Sequence, residues 1–346
     1  MLYIVDLADG SVIRTIDTLA GSTTVPNGLA APAPVDIDGD SIVDYIYAGD
    51  LLGNMWKFDV SSSNTSTWGV AYAGTPLFQA RTATNLIQPI TERPQIGLHP
   101  TGLPSEKGVM VYFGTGKYIE TADNSPTGQN TQTFYGIWDK NPPPLAAITR
   151  AHLLKQQIIH QSTVHGYNVR VTTANNIIWH DTTGNPTGSP PTTHLGWYMD
   201  LLNTQGGNTN NGGERQVSNP ILRNGRIIFP TLVPTAIVNA CDFGGSGWLM
   251  ELDAASGARL SFSPFDLNND GKFDDQDYAD TDGDGVGDTQ VSGKESSVGI
   301  IPTPGIAAGP DPSEYKFTSG STGEIETTSE NAGGKDLGRQ NWRQLR

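Results

Sequence analysis

Residues 248–260 read WLMELDAASGARL, and residues 2–13 read LYIVDLADGSVI. In each, a short apolar run is followed by an aspartate, small residues, a glycine four positions on (Asp6 and Gly10; Asp253 and Gly257), and then apolar residues again. This pattern predicts a β-hairpin. Alternating side chains bury one face of the strand, and Asp and Gly supply the turn conformations that other residues resist. Looser copies stand at 55–60 (MWKFDV, then three serines), 135–139 (YGIWD) and 196–201 (GWYMDL). With 41 glycines and 23 prolines in 346 residues, the chain is built for many short strands and turns. Only 144–161 (PLAAITRAHLLKQQIIHQ) has the composition for a few helical turns. Hairpins recurring every few dozen residues predict an all-β fold, a β-propeller with four strands per blade. Roughly 40–50 residues per blade gives about five to seven blades. A β-sandwich is the alternative that the same strands allow. The expected organisation is one propeller domain over 1–346, with an insertion rich in acidic loops at 262–295.

The formal charge of −15 argues against a nucleic-acid partner, because phosphate binding needs a basic face. An anionic membrane surface is equally mismatched. Of 36 acidic residues, nine fall within 266–288 and four within 36–44, a clustering that points to cations as ligands. The single cysteine, Cys241, rules out an internal disulfide framework and leaves the compartment open. The sequence has neither an 18-residue apolar run nor a signal peptide. Met1 leads straight into apolar strand residues, so the expectation is the C-terminal part of a longer protein, cut inside a repeat. Polar, glycine-rich stretches at 121–133, 181–193 and 203–213 read as mobile surface loops. The sequon at Asn64, Thr65 and Ser66 carries no functional assignment.

The acidic clusters have a specific spacing. In DIDGDSIVD, residues 36–44, carboxylates occupy positions 1, 3, 5 and 9: Asp36, Asp38, Asp40 and Asp44. Calcium takes six to eight hard oxygen ligands at about 2.3–2.6 Å, and a tight loop brings alternate side chains round one ion. The Ile42 carbonyl would fill position 7, and Ile42 and Val43 would anchor the loop in the core. A strand, 45–48, leaves the loop where an EF-hand would have a helix. The segment 266–277 (DLNNDGKFDDQD) matches the twelve-residue calcium loop more fully. Asp266, Asn268 and Asp270 stand at 1, 3 and 5, glycine at 6, the Lys272 carbonyl at 7 and Asp277 at 12, where glutamate is usual. In 280–288 (DTDGDGVGD), Asp280, Asp282, Asp284 and Asp288 repeat the 1, 3, 5, 9 spacing with the Val286 carbonyl at 7. Ca2+ is therefore the expected ion. Magnesium, which keeps its waters, suits these loops less.

Other motifs fail on their residues. Gly114, Thr115, Gly116 and Lys117 lack the upstream glycine of a phosphate loop, and Tyr118 replaces its Ser/Thr. Residues 109–119 instead predict a strand, a glycine bend and a second strand. Trp248 occupies the last glycine position of a nucleophile elbow at 244–248. The six histidines form no HExxH and have no cysteine cluster beside them, so zinc is not expected. No catalytic constellation stands out, and the protein is expected to be non-enzymatic.

The runs 35–60 (VDIDGDSIVDYIYAGDLLGNMWKFDV), 113–119 (FGTGKYI), 214–229 (ERQVSNPILRNGRIIF), 241–252 (CDFGGSGWLMEL), 297–304 (SVGIIPTP) and 338–346 (GRQNWRQLR) together resemble the type IV pilus tip-associated PilC/PilY family over nearly the whole chain. The resemblance implies a C-terminal, modified seven-bladed propeller, here lacking its first strands and the family's large N-terminal region. It implies a secreted protein at the pilus tip or outer cell surface, with pilins and a host or abiotic surface as partners. It further implies roles in pilus biogenesis, cell adhesion and twitching motility. The family's calcium loop falls on Asp36, Asp38, Asp40, Ile42 and Asp44, and its occupancy would set pilus extension against retraction. The 266–288 loops are less tied to the shared site. The competing class is a calcium-containing quinoprotein-like dehydrogenase propeller, which shares only the hairpin pattern. Such enzymes often carry adjacent cysteines over the quinone, and Cys241 stands alone.

Overall fold

The computed structural model describes residues 1–102, 108–140, 147–182, 184–210, 212–235 and 244–333. Cys241 and the 338–346 motif lie outside these residues. The described chain is all-β: twenty strands, five 3-10 turns and one four-residue helical segment. Its largest sheet has ten strands, beginning with Ile221–Arg223, Arg226–Pro234 and Gly245–Asp253 and ending with Thr133–Lys140, Gly108–Gly114 and Gln95–Leu98. The two edge strands approach each other closely. Leu222 Cδ2 lies 2.4 Å from where a Cβ on Gly97 would stand, so a side chain at 97 would have to push Leu222 aside. Inside it, Phe134 stacks on Phe229 with ring centroids 3.9 Å apart, and Trp138, Trp197, Tyr112 and Phe113 are fully buried.

The propeller is modified in that these ten strands share one continuous hydrogen-bonded sheet, where separate four-stranded blades are expected. The fragments YGIWD and GWYMDL pair with each other, Tyr135 opposite Tyr198 and Gly136 opposite Trp197. Residues 2–13 form the expected hairpin, Leu2–Val5 against Val12–Ile16, closed by Gly10 N–H donating to the Asp6 carbonyl at 2.9 Å. The turn at 253–257 is built the same way, with Gly257 N–H on the Asp253 carbonyl at 2.8 Å. Its return run pairs with no strand, however. Gly245–Asp253 pairs with Arg226–Pro234 and Gly293–Glu295 instead, and the Arg259 amide donates to the Thr173 carbonyl.

Other local expectations are also corrected. Where helical turns are expected, the described part of 144–161 forms a 3-10 turn, Arg150–His152, and then the strand Leu154–Val164. Gln156 and Ile158 face inward at period two and the strand finds partners on both sides, so tertiary pairing overrides the weak helical preference. After Gly108–Gly114 no second strand forms, because the Gly116 amide is taken by the Pro89 carbonyl. The loop 121–133 is partly buried: the Asp123 carboxylate accepts the Ile119 and Glu120 amides, and Thr133 is fully covered.

A five-stranded sheet carries the first acidic loop. Ala33–Val35, Tyr45–Gly49 and Asn54–Asp59 run antiparallel in it, with Val35 opposite Tyr45. Buried Asp50 sets the next turn by accepting from the Leu52 and Asn54 amides and the Trp56 indole. Asp139 joins this sheet to the large one. Its carboxylate meets the Lys57 ammonium at 2.8 Å and the hydroxyls of Tyr47 and Tyr72, while Lys57 Nζ sits 3.8 Å over the Tyr45 ring. Burial first, then the Asp139 charge, pushes both Tyr47 and Tyr72 above the ordinary tyrosine range.

At the other end, the three-stranded sheet Gly305–Ala308, Ser313–Ser319 and Ile325–Asn331 docks through buried charges. Arg226 bridges Glu251 at 2.7 Å and Glu314 at 2.6 Å, Lys316 meets Glu251 at 2.5 Å and also Glu330, and Arg223 holds Glu314 at 2.6 Å. Two buried cations and the part-exposed Arg223 balance the three buried carboxylates.

Candidate metal centre

The three acidic loops share one backbone construction. In 36–44 the Asp36 carboxylate accepts the amides of Gly39 (2.6 Å) and Ser41 (2.9 Å), Asp38 that of Asp40, and Asp40 that of Ile42. The closing Asp44 takes the Ile37 amide at 2.8 Å. In 280–288, Asp280 accepts from Gly283 and Gly285, Asp282 from Asp284, Asp284 from Val286, and Asp288 from Thr281. In 266–277, Asp266 accepts from Asp270 and Gly271, Asn268 from Asp270, Asp270 from Lys272, and Asp277 from Leu267. In each loop the closing carboxylate thus binds the amide of position 2. Positions 4 and 6 are left-handed throughout: Gly39 and Ser41, Asn269 and Gly271, Gly283 and Gly285. The loops wrap because amides and carboxylates at short range satisfy each other, which the spacing of the residues dictates.

Two of the loops gather their carboxylates. Oxygens of Asp36, Asp38 and Asp40 all lie within 4.8 Å of one another, as do those of Asp280, Asp282 and Asp284. Ligands of one calcium ion at about 2.3–2.6 Å span at most about twice that distance, so both triads fit a hard divalent cation. In water each carboxylate pair at that separation repels by only about 0.9 kcal/mol, which exposed loops tolerate. Asp44 and Asp288 stand outside these triads, as does the whole 266–277 set. There Asp277 is fully buried, and its carboxyl is raised by burial and by Asp266. Lys272 Nζ stands 3.6 Å from Asp270, a cation already facing that loop. Backbone amides, Gly283 first, hold Asp280 below the usual carboxylate range, and the Thr281 hydroxyl does so for Asp288.

Ile42 does not anchor the first loop. Its side chain is 66% exposed, like Val286 at 61%, because position 7 is turned by its own amide binding the Asp40 or Asp284 carboxylate. Val43 does pack against the core cluster of Leu2, Trp56 and Phe58. The second and third loops lie back to back: a Cβ on Gly287 would stand 2.5 Å from the Asp275 carbonyl oxygen. Lys117, the lysine of the failed phosphate motif, pairs with Glu120 and Asp123. Sequence reasoning passed over Asp139 and Glu92, a carboxylate beside a cavity, because isolated acids have no spacing to mark them.

A nearly closed all-β sheet system with wrapped acidic loops defines a modified β-propeller. Residues 1–169 match the family model described as the PilY1 beta-propeller domain. The chain belongs to this PilY1-type family and is similar to its C-terminal propeller region. It is 31% identical over 379 aligned positions to the type IV pilus biogenesis factor PilY1 of Pseudomonas aeruginosa PAO1, covering 99% of this chain and 30% of that protein. A PilY1 homolog of Xylella fastidiosa is 37% identical over 273 residues, covering 74% of this chain and 17% of the homolog. The chain thus spans less than a third of the length of either relative. The crystal structure of the P. aeruginosa PilY1 C-terminal domain superposes with a TM-score of 0.76 at 30% identity, covering 96% of this chain and 66% of that one. No helix among the described residues is long and apolar enough to cross a membrane.

Proposed function

We propose that this chain is a non-enzymatic, calcium-binding propeller module of a type IV pilus biogenesis factor. It acts at the pilus tip or outer cell surface, where it engages pilins and supports surface attachment and twitching motility. Calcium in the 36–44 loop sets pilus extension against retraction. The observation that carries the metal assignment is the convergence of Asp36, Asp38 and Asp40 oxygens within 4.8 Å on a loop held in its wrapped form by its own amides. The relatives' names, pilus biogenesis factors, support the biological setting. The same geometry at Asp280, Asp282 and Asp284 supports a second ion, and 266–277 a weaker third held back by Lys272.

Terbium luminescence and calorimetry on the domain test the reading. Asp40→Ala and Asp44→Ala should abolish one class of sites, and Asp284→Ala another. A wild-type protein without a calcium-dependent signal, or variants that retain it in full, would sink the metal assignment. Twitching by cells carrying Asp40→Ala in the full-length protein tests the regulatory role, and unchanged motility would remove it.

A further inference from the structure

A cavity of about 460 Å³ opens between the strand Arg226–Pro234 and the segments at 91–92, 118–119 and 300–302. Its walls are largely apolar: Tyr118, Ile119, Leu232, Ile301 and Pro302 line it. Ile119, 67% exposed, stands at its edge. One carboxylate lines the same space. Glu92 is only 6% exposed, and among the described residues a single hydrogen bond, from Thr91 Oγ1 at 3.2 Å, reaches it. No described lysine or arginine is within ion-pair distance. Every other deeply buried glutamate among the described residues meets an arginine or lysine: Glu214 meets Arg170, and Glu251, Glu314 and Glu330 meet Arg226 or Lys316. A buried acid lacking its cation beside an apolar slot is half of a recognition site.

We propose that this cavity receives a lysine side chain of a partner polypeptide, its ammonium on the Glu92 carboxylate and its methylene stem along Ile119, Ile301 and Pro302. An ammonium suits the site better than a guanidinium. The Thr91 hydroxyl, shared with the Gly116 carbonyl at 2.9 Å, faces Oε1 at 3.2 Å, so Oε2 is the freer oxygen, and one free oxygen suits a point charge better than an arginine fork, which would want two. The apolar walls match the stem of the side chain, and the net charge of −15 steers cations toward the surface. Burial, opposed only by the Thr91 hydroxyl, raises the Glu92 carboxyl to about 7. A bound ammonium would therefore displace its proton near neutral pH. Among the described residues, Tyr118 is the only other ionisable one lining the cavity. Arg93 follows Glu92 in sequence and is exposed, and the Arg215 guanidinium lies over the Tyr118 ring, 6.0 Å from its centroid.

The test uses the whole domain and three probes: Nα-acetyl-lysine methylamide, its norleucine analogue and its arginine analogue. Binding is read from amide and methyl NMR shifts at Ile119, Ile300 and Ile301. The lysine probe should bind at least about tenfold more tightly than norleucine, the size of one charge-assisted contact. Its affinity should rise between pH 6 and pH 8. Glu92→Gln, which keeps the shape, should lose that advantage and the pH dependence together. Ile119→Ser, at an exposed position, should weaken lysine and norleucine alike. Equal binding of norleucine, unchanged binding by Glu92→Gln, or tighter binding of arginine would overturn the assignment.

Discussion

Trp197 lies between two glycines, and a three-variant alanine series on this arrangement separates backbone strain from overpacking. The indole is fully buried and donates to the Ala254 carbonyl at 3.1 Å. A Cβ on Gly257 would stand 2.2 Å from Trp197 Cε3, and one on Gly136 would stand 2.7 Å from Cε2. Gly257 also has a φ of +68°, whereas Gly136 has an ordinary backbone. Gly10 occupies the equivalent turn position in the first hairpin with a φ of +75°, and a Cβ there would meet nothing within 4 Å. Gly10→Ala should therefore cost only the left-handed penalty, about 1–2 kcal/mol. Gly136→Ala should cost only overpacking, about 1–3 kcal/mol. Gly257→Ala suffers both, about 2–5 kcal/mol, a large part of a typical domain's stability. Urea unfolding with unchanged m-values measures all three, and the near-UV signal of Trp197 should change only in the last two. If Gly10→Ala and Gly257→Ala cost the same within about 0.5 kcal/mol, the packing argument is wrong.

Ser41 holds a φ of +74° where the other two loops place glycine, so Ser41→Gly should stabilise the domain by roughly 0.5–1 kcal/mol without loss of terbium binding. A destabilised variant would show that the serine has a further role. Asp139→Ala strands Lys57 and the Tyr47 and Tyr72 hydroxyls, and should cost about 3–5 kcal/mol by thermal or urea unfolding; a cost below about 1 kcal/mol would count against Asp139 as the joint between the two sheets. Glu92 has a folded pKa of about 7 against 4.5 for the free side chain, so the folded state holds a proton that the unfolded state releases. Its contribution is present below about pH 4.5 and is lost as pH rises to 7, on the order of 3 kcal/mol. Glu92→Gln should remove that slope, and identical pH profiles for variant and wild type would refute it.

The sequence alone determined what short-range chemistry controls. Alternation and the Asp-to-Gly turns predicted an all-β chain, and the 1, 3, 5 spacing predicted loops that wrap, because an aspartate's partners there are amides only two to five residues away. Long-range partners decided the rest. The turns at Asp6 and Asp253 share one pattern, yet only the first leads into a hairpin, since the second packs Gly257 against Trp197 from a distant strand. In Ser313–Ser319 the charged Glu314 and Lys316 face inward while Phe317 is 44% exposed, the reverse of what polarity alone suggests. That inversion is stable because Arg226 and Glu251, some sixty to ninety residues earlier in the chain, bring the compensating charges. Residue order fixes which groups lie within a turn of one another, but only the folded chain brings together a buried charge and the opposite charge that makes its burial possible.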